Sequence, residues 1–359
     1  MKASRWIRIF KTCSLEDYDE LDLVSKILLV SRVCVLPMTM ISVVIGGLYA
    51  LYEGYFNLTI FLLVLAGFVA AHIADNLIND YLDYKSGIDT PDYFRSQYAP
   101  HPILAGLVDQ KTLLWGFIVL TIFDMLIAIY LSLTVSYLIL VLALVGLILS
   151  AFYAGRPINL KRLGLGEFAV AVVWGPIMIG GTYLALTSSL TIQTLLVSLP
   201  YALSVMLVLI GKHLDKYELD VSKGVKTLVV RLGIDGSLIL GKALAISSIM
   251  LGAMLCILIS PWMLTAVIAA IRIPTFLKAY SSRRPREKPK EWPVWPFWFV
   301  AWAFWMNVAI GFYIILGLAI SIIRPEGSIC TLLATSVTLL ALSLLEVKQT
   351  VNARKVLSN

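Results

Sequence analysis

The sequence predicts an all-α integral membrane protein, because its composition, its apolar runs and its loop charges are those of a helical membrane bundle. Hydrophobic residues make up 59% of the 359 residues and charged residues only 14%, whereas soluble proteins contain about 25% charged residues. The mean hydropathy is +0.88. Apolar runs of about 20 residues, the length of a helix that crosses a bilayer, recur along the chain. An ordinary soluble domain is therefore excluded.

Ten apolar runs are long enough to be membrane-spanning helices. The least distinct boundary between two of them is Ser260-Pro261, where the proline could kink one helix or separate two. We expect residues 1–25 to be a cytoplasmic segment, 26–323 to be the membrane domain and 324–359 to be an additional helix and tail. The predicted spans are 26–52, 57–82, 111–132, 135–154, 165–187, 192–213, 237–259, 261–280, 294–322 and 328–346.

The distribution of Lys and Arg predicts the orientation of these spans. The N-terminal segment, the loops after the second, fourth, sixth and eighth spans and the C-terminal tail hold nearly every loop Lys and Arg. The loops on the other side hold none, apart from Arg324 after the ninth span. Because positively charged loops face the cytoplasm, both termini are expected on that side of the cytoplasmic membrane. No signal peptide is expected, since the first 25 residues lack an apolar core.

The cysteines and the net charge point to no further class of partner. Cys13, Cys34, Cys256 and Cys330 are scattered without a CxxC pair, so we expect packing residues rather than a disulfide framework or a zinc site. The net charge of +7 and the basic loop at 283–290 suit a face on anionic lipid. Neither a nucleic-acid partner nor an obligatory protein partner is expected, because no separate basic domain is present.

The first of two carboxylate clusters ends the second apolar run. On a helix Asp80 and Asp83 share one face, and Asn79 lies one turn before Asp83. Carboxylate and amide oxygens, together with substrate phosphates, are ligands that Mg²⁺ prefers. Gly87 is expected to end the helix, so that Asp89 folds back towards it. A solvated helix end is the alternative, but so many ionisable groups beside hydrocarbon favour a functional site.

The second cluster ends the sixth apolar run and comprises Asp215, Glu218 and Asp220, with basic residues before and after it. Both clusters fall on the predicted cytoplasmic side, which indicates that they form one site. Acidic clusters mixed with Lys and Arg suit a site for Mg²⁺ and a diphosphate.

These motifs resemble those of the UbiA superfamily of membrane prenyltransferases, and most of all its MenA-like branch, which prenylates dihydroxynaphthoate. The MenA-like first motif, NDYxDxxxGxD, is matched from Asn79 to Asp89, and the second motif ends in GKxTLxVRLG, which 224–233 closely follows. Arg32 with Leu36-Pro37 resembles RxxTLP without its threonine, and 101–106 resembles RPLxSG with histidine in place of arginine. The region from Tyr153 to Tyr183 resembles the fourth and fifth helices of MenA-like enzymes.

The chain departs from the family pattern in two ways. The family spaces the acids of its second motif as DxxxD, but Lys216 lies four residues before Asp220, and Asp215 lies five before it. An ideal helix would place Asp215 and Asp220 about 140° apart. The helix could be bulged so that both acids point inward, Glu218 could replace one ligand, or Lys216 could supply the charge of a second metal ion. The family also has nine helices, whereas ten spans are predicted here.

The resemblance implies an all-α bundle of nine helices, here with a tenth, that transfers a prenyl group from an isoprenyl diphosphate to an aromatic quinone precursor with Mg²⁺. Departure of a diphosphate requires neutralisation of its charge, which Mg²⁺ and basic side chains supply. The implied Mg²⁺ ligands are the catalytic Asp80, Asp83, Asp215 and Asp220, with Asn79, Asp89 and Glu218 as additional ligands. The cations expected to bind the diphosphate are Lys85, Arg95, Lys212, Lys226 and Arg231.

The acceptor is expected at the loop between the fourth and fifth spans, beside Tyr153. Arg156, Lys161 and Arg162 of this loop could bind an acceptor carboxylate by charge-assisted hydrogen bonds, or could instead be ordinary topology-setting charges. Arg32, inside the first span, is expected to face the polar cavity because an unpaired cation there is unfavourable.

Three alternatives remain open from the residues. The acceptor could be a lipid alcohol or a tetrapyrrole, the chain could be a UbiA-type scaffold without activity, or it could be a cation-coupled transporter. Transporters usually contain inverted repeats and polar residues near the bilayer midplane. No convincing repeat at half-length occurs, and the acidic clusters lie at one membrane face.

Overall fold

The computed structural model describes most of the chain and contains helices without any strand in the described ranges. The described residues are 2–15, 20–155, 157–281, 283–289, 292 and 294–323, together with the single positions 343, 346, 347, 350 and 353. The predicted tenth span, 328–346, therefore lies almost wholly outside the described residues.

Two short helices precede the membrane domain, and the remaining helices follow in chain order. The helices are α1 (Lys2–Thr12), α2 (Leu23–Val30), α3 (Leu36–Tyr52, after a 3-10 turn at Val33–Val35), α4 (Leu58–Lys85), α5 (Phe94–Tyr98), α6 (Gln110–Thr134), α7 (Leu138–Ala154), α8 (Gly166–Val172), α9 (Met178–Thr187), α10 (Ile192–Asp215), α11 (Tyr217–Ser222), α12 (Leu228–Leu258), α13 (Ile273–Ala279) and α14 (Phe299–Ile323). A π-helical turn, Val173–Ile177, joins α8 to α9, and a 3-10 helix, Pro261–Arg272, precedes α13.

The first nine predicted spans are confirmed. Eight helical segments of the described chain are long and apolar enough to cross a membrane, and the shorter apolar helix α7 accounts for the remaining one, the fourth predicted span. The helix of the seventh span begins earlier than predicted, at Leu228, but Gly233 is not helical, so a kink divides α12 into a short first segment and the long apolar segment that follows. Ser260 is extended, and a new helix begins at Pro261, so the proline separates two helices.

Polar caps explain where many of these helices begin. Asn57, Asp109, Thr191 and Thr227 each accept a hydrogen bond from the backbone amide three residues later. Each cap satisfies a donor that the first helical turn leaves free. Caps therefore allow the spans to start without exposing bare amides.

A close contact between α10 and α14 positions one side of the polar site. A Cβ at Gly211 would lie only 2.8 Å from the Phe299 carbonyl oxygen and 2.8 Å from the Tyr280 hydroxyl. Glycine is therefore required at 211 for the first residues of α14 to lie beside the last turn of α10.

The prediction that all four cysteines are packing residues was wrong for two of them. Cys13 and Cys34 form a disulfide with a Cα–Cα distance of 5.4 Å. The reason is tertiary: buried Ile9 of α1 packs with Leu29 and Leu36, which folds α1 back onto the start of the first span. Cys256 is free, and Cys330 lies outside the described residues.

Candidate active site

The C-terminal end of α4 folds back on itself, as predicted. Gly87 has a φ of 72°, a left-handed conformation that ends the helix. The backbone amides of Ile88 and Asp89 then donate to the Asp83 carbonyl oxygen at 3.0 and 3.1 Å. The loop therefore brings Asp89 back beside the last turn of α4.

Asp80 is fully buried and paired with two arginines. Arg95 Nε lies 3.1 Å from Oδ1 and Arg95 Nη2 lies 3.2 Å from Oδ2, while Arg32 Nη2 also donates to Oδ1. Arg32 itself has a positive φ at the break between α2 and α3. Because arginine donors bind both of its oxygens, Asp80 organises cations in this structure rather than offering a free ligand atom.

Asp83 has a different environment. Lys161, from the loop after α7, bonds its Oδ2 at 2.6 Å, and both side chains are buried. Burial alone would lower the pKa of the Lys161 ammonium, but Asp83, then Asp89 and Asp220, raise the pKa above its usual value. Lys161 is therefore held by the first cluster, and the charge of Asp220 in the second cluster also stabilises its ammonium.

Asp89 faces His101, whose Nε2 lies 3.2 Å from Asp89 Oδ2. The His101 Nδ1 accepts from the backbone amides of Ile103 and Leu104, which orients the ring so that Nε2 faces Asp89. Asp80, Asp89 and His101 bring possible ligand atoms within 4.8 Å of one another. A divalent cation does not suit this group, since arginines already bind Asp80.

The second cluster is rearranged by a helix break at Lys216, where α10 ends and α11 begins. Lys216 Nζ lies 3.0 Å from Asp220 Oδ1, and the Tyr93 hydroxyl donates to the same oxygen at 2.5 Å. Burial disfavours ionisation of Asp220, but the charges of Lys216 and His213 and the Tyr93 bond outweigh it and lower the pKa of Asp220. The second oxygen, Oδ2, is buried without a hydrogen-bond partner in the described chain.

The structure does not bring Asp215 to the site. Its carboxylate accepts three backbone amides, from Trp298 at 3.0 Å, Phe299 at 2.9 Å and Val300 at 3.0 Å, at the start of α14. Glu218 is exposed. Of the three alternatives for the second motif, this geometry supports Lys216 as the inward group, because the break at Lys216 turns Asp215 towards α14.

We expect Asp215→Ala to lower stability while leaving Mg²⁺ binding unchanged. The substitution removes the acceptor for three amides at a helix N-terminus, and loss of such a cap costs about 0.5–2 kcal/mol. Thermal unfolding in detergent, with Mg²⁺ affinity measured on the same samples, checks this. Glu218→Ala is the matched control and should unfold like the wild type. Lost Mg²⁺ affinity in Asp215→Ala at unchanged stability would restore Asp215 as a ligand.

Several predicted binding residues lie away from the two clusters. Lys85, Lys226 and Arg231 are exposed, with Arg231 bonded to the Lys226 and Arg162 carbonyl oxygens. The Arg162 Nε is buried without a hydrogen-bond partner in the described chain. Arg156 lies outside the described residues. Of the three loop cations predicted to bind an acceptor carboxylate, only Lys161 contacts an acidic cluster. It binds Asp83 and does not face an open acceptor site.

A cavity of about 590 Å³ lies beside the clusters. Polar residues occupy one part of its wall, including Arg32, Asn79, Tyr153 and Lys212, and apolar side chains from α7, α8, α10 and α14 form most of the rest. Lys212 is half-buried and forms no ion pair in the described part of the chain. The cavity therefore presents the side-chain amide of Asn79 and the amino group of Lys212 beside an apolar interior.

Sequence reasoning missed Tyr93 entirely and treated His101 only as part of a motif. Tyr93 lies in the irregular segment between α4 and α5, and its hydroxyl joins the first loop to Asp220. Lys223 adds a second link, to the Gly87 carbonyl oxygen at 3.4 Å. The expectation that the two clusters form one site is supported by these contacts. No periodic pattern could have identified Tyr93, because loop residues carry no helical spacing.

Mg²⁺ fits part of this donor set. Asn79 lines the cavity, Asp83 has a second oxygen outside its lysine bond, and Asp220 Oδ2 is an unused buried acceptor. These are hard oxygen donors of the kind that Mg²⁺ takes together with phosphate oxygens. Lys216 fills the position that a further carboxylate would need. The site therefore suits a divalent ion held by Asn79, Asp83 and Asp220 Oδ2, with the Lys216 ammonium on the other oxygen of Asp220.

In the described part of the chain, nine apolar helical segments form a bundle that contains the cavity, and two acidic motifs lie beside it. These features define a polytopic membrane enzyme whose site suits a lipid diphosphate. The sequence model of the UbiA prenyltransferase family matches residues 39–298 of this chain. The chain belongs to the UbiA prenyltransferase family.

Individual relatives agree in sequence and in fold. A 1,4-dihydroxy-2-naphthoate octaprenyltransferase of Bacillus subtilis (strain 168) is 24% identical over 291 residues, which are 80% of this chain and 90% of the relative. The apo structure of a UbiA homolog from Aeropyrum pernix K1 has a TM-score of 0.61 at 19% identity and covers 80% of this chain and 98% of its own. A UbiA homolog from Archaeoglobus fulgidus bound to GPP and Mg²⁺ has a TM-score of 0.55 at 15% identity, over 82% and 99% of the two chains. The predicted fold and the MenA-like resemblance are thus confirmed.

Proposed function

We propose that this protein transfers a prenyl group from an isoprenyl diphosphate to an aromatic, naphthoate-type acceptor within the membrane, using Mg²⁺. The observation that carries the proposal is the meeting of the two acidic motifs, through Lys161, Tyr93 and Lys216, beside a large cavity. The naphthoate acceptor is supported by the B. subtilis relative, and the donor and the metal by the Archaeoglobus homolog.

The diphosphate is bound at the junction of the motifs. Asn79, Asp83 and Asp220 would hold Mg²⁺, and the bound ion would supply Lewis-acid stabilisation of the charge on the leaving diphosphate. Lys161 and Lys216 each lie within 3.0 Å of an acid there, so their ammonium groups can turn from carboxylate to phosphate oxygens when donor and metal bind. Arg95 and Arg32 hold Asp80 and thereby fix the end of α4.

The two organic groups share the cavity. Apolar walls, which include Trp174, Phe297 and Phe304, exclude water from the allylic carbon and receive the first part of the prenyl chain. Lys212 and Tyr153 orient the acceptor, with the Lys212 ammonium attracting its negatively charged group. Holding the ring against the allylic carbon supplies the remaining rate acceleration.

The loop charges support a cytoplasmic site. Both acidic motifs follow spans whose loops carry Lys and Arg. By the positive-inside rule, this end of the bundle faces the cytoplasm, and the bundle spans the cytoplasmic membrane. A soluble isoprenyl diphosphate would then reach the site from the compartment that contains Mg²⁺.

The test is diphosphate release from geranylgeranyl diphosphate by purified protein, with dihydroxynaphthoate present, with and without Mg²⁺. We expect release only with Mg²⁺, restored after chelation by added Mg²⁺, and a prenylated naphthoate product. Mg²⁺-dependent release without an adduct would retain the prenyltransferase and reject the acceptor. Release unaffected by chelation would contradict the metal assignment, and no release with any donor or acceptor would reject the proposed function.

A further inference from the structure

A carboxylate outside both acidic motifs faces the cavity. Asp75 of α4 is the only acidic residue among the described residues that line it. His72, Asn76 and Asn79 of the same helix also line the cavity. Asn79 follows Asp75 by four residues, a rise of about 6 Å along a helix. Asp75 therefore lies one turn deeper in the membrane than the proposed donor site.

The contacts of Asp75 differ from those of the motif acids. The Ser150 hydroxyl of α7 donates to its Oδ1, and Asp75 forms no ion pair in the described part of the chain. In contrast, Asp80, Asp83 and Asp220 each have an Arg or Lys partner. A carboxylate without a cation at membrane depth is unfavourable and is retained mainly where it has a function. Asp75 therefore lines the cavity as a carboxylate that is not paired with any Lys or Arg of the described chain.

A second acid at similar depth serves as a comparison. Asp124 of α6 lies in a separate cavity of about 100 Å³, which Asp75 and Ser150 also line from the other side. A Cβ at Gly67 would lie 3.0 Å from Asp124 Oδ1, so α4 and α6 approach closely at this point. Asp124 does not line the larger cavity. Only Asp75 of this pair can reach a substrate in the larger cavity.

Resting on the proposed function, we propose that Asp75 is the base that accepts the proton of the acceptor's hydroxyl group, with Ser150 orienting its carboxylate. As the proton moves to Asp75, the electron pair left on the hydroxyl oxygen increases the electron density of the aromatic ring. The ring carbon forms its bond to the allylic carbon while the carbon–oxygen bond to diphosphate breaks, and diphosphate leaves with the bonding pair. The ring carbon then loses its own proton to water, and Asp75 returns the first proton to the oxygen.

The decisive variant is Asp75→Asn, which keeps the shape and the acceptor for Ser150 but cannot take a proton. We expect turnover with dihydroxynaphthoate to fall about 10²–10⁴-fold, the usual contribution of a general base, while the affinity for a non-reactive thiolodiphosphate donor analogue stays that of the wild type. Naphthol acceptors with electron-withdrawing groups, already ionised at the assay pH, should restore most of the lost rate in Asp75→Asn. The same acceptors should change the wild-type rate little.

The matched control is Asp124→Asn, the same change in the neighbouring cavity, which should turn over like the wild type. Ser150→Ala keeps Asp75 but removes its hydrogen bond, so we expect a smaller loss with the same dependence on acceptor acidity. Wild-type turnover in Asp75→Asn overturns the proposal. A loss that ionised acceptors do not rescue, in Asp75→Asn and in Ser150→Ala, overturns it as well. Absence of diphosphate release by the wild type with every acceptor would instead refute the proposed function.

Discussion

Asp83→Ala and Asp220→Ala are each expected to reduce diphosphate release about 10³-fold or more. Each change removes an oxygen donor from one side of the proposed Mg²⁺ and diphosphate site, where charge develops on the leaving group. Both proteins should remain folded but less stable, because each change leaves a buried lysine, Lys161 or Lys216, without its carboxylate, a loss of about 3–5 kcal/mol. Steady-state diphosphate release at saturating donor, and thermal unfolding in detergent, measure the two effects.

Glu218→Ala provides the matched control for this prediction, because Glu218 belongs to the second cluster but is exposed. It should retain wild-type turnover. Full activity in Asp83→Ala or Asp220→Ala would refute the metal assignment. A loss in Glu218→Ala equal to that in Asp220→Ala would show that the second motif is arranged differently from the structure.

Lys216→Met is expected to lower both turnover and stability. The change keeps a long side chain but leaves Asp220 buried without its cation, and removal of one partner from a buried ion pair costs about 3–5 kcal/mol. The loss of an ammonium aimed at the leaving group should reduce turnover about 10²–10³-fold. Thermal unfolding in detergent measures the stability, and steady-state diphosphate release measures the turnover.

A double variant separates the structural effect from the catalytic one. Lys216→Met with Asp220→Asn removes both charges, so stability should recover towards that of the wild type while activity stays low. Lys226→Met is the control, because Lys226 is an exposed lysine of the same region. Wild-type turnover in Lys216→Met would reject a role for this ammonium in diphosphate binding.

The sequence predicted the membrane spans well because hydrophobicity over about 20 residues is a local property. Nine of the predicted spans are present in the described residues, and the first motif's helix ends before Gly87 as predicted. Ser260-Pro261 separates two helices, one of the two outcomes that the sequence left open. The start of the seventh span was predicted at 237, whereas α12 begins at Leu228 with a short segment before Gly233. Gly233 has a φ of 73° and is not helical, so a kink separates that short segment from the long apolar part of α12.

The site was only partly predictable. Motif spacing placed Asn79 and Asp83 one turn apart on α4, because residues on one face of one helix keep their relation in any packing. The acidic cluster and the family resemblance suggested Asp220 and Asp215, and in the structure Asp215 caps α14 more than 80 residues away in sequence. Tyr93, His101 and the Cys13–Cys34 pair depend on loops that fold across the bundle, so no local pattern indicates them.

The sequence by itself determined the class of protein, the number of described spans, the oxygen-rich motifs and the family, because these depend on composition and on short-range periodicity. The tertiary structure alone decided which acid holds which cation. Arg32 and Arg95 bind Asp80, Lys161 binds Asp83, and Lys216 binds Asp220. Those pairings join residues of different segments or depend on a helix break. They are decided by tertiary packing, because packing sets the rotation of each helix about its axis and so the direction of its side chains.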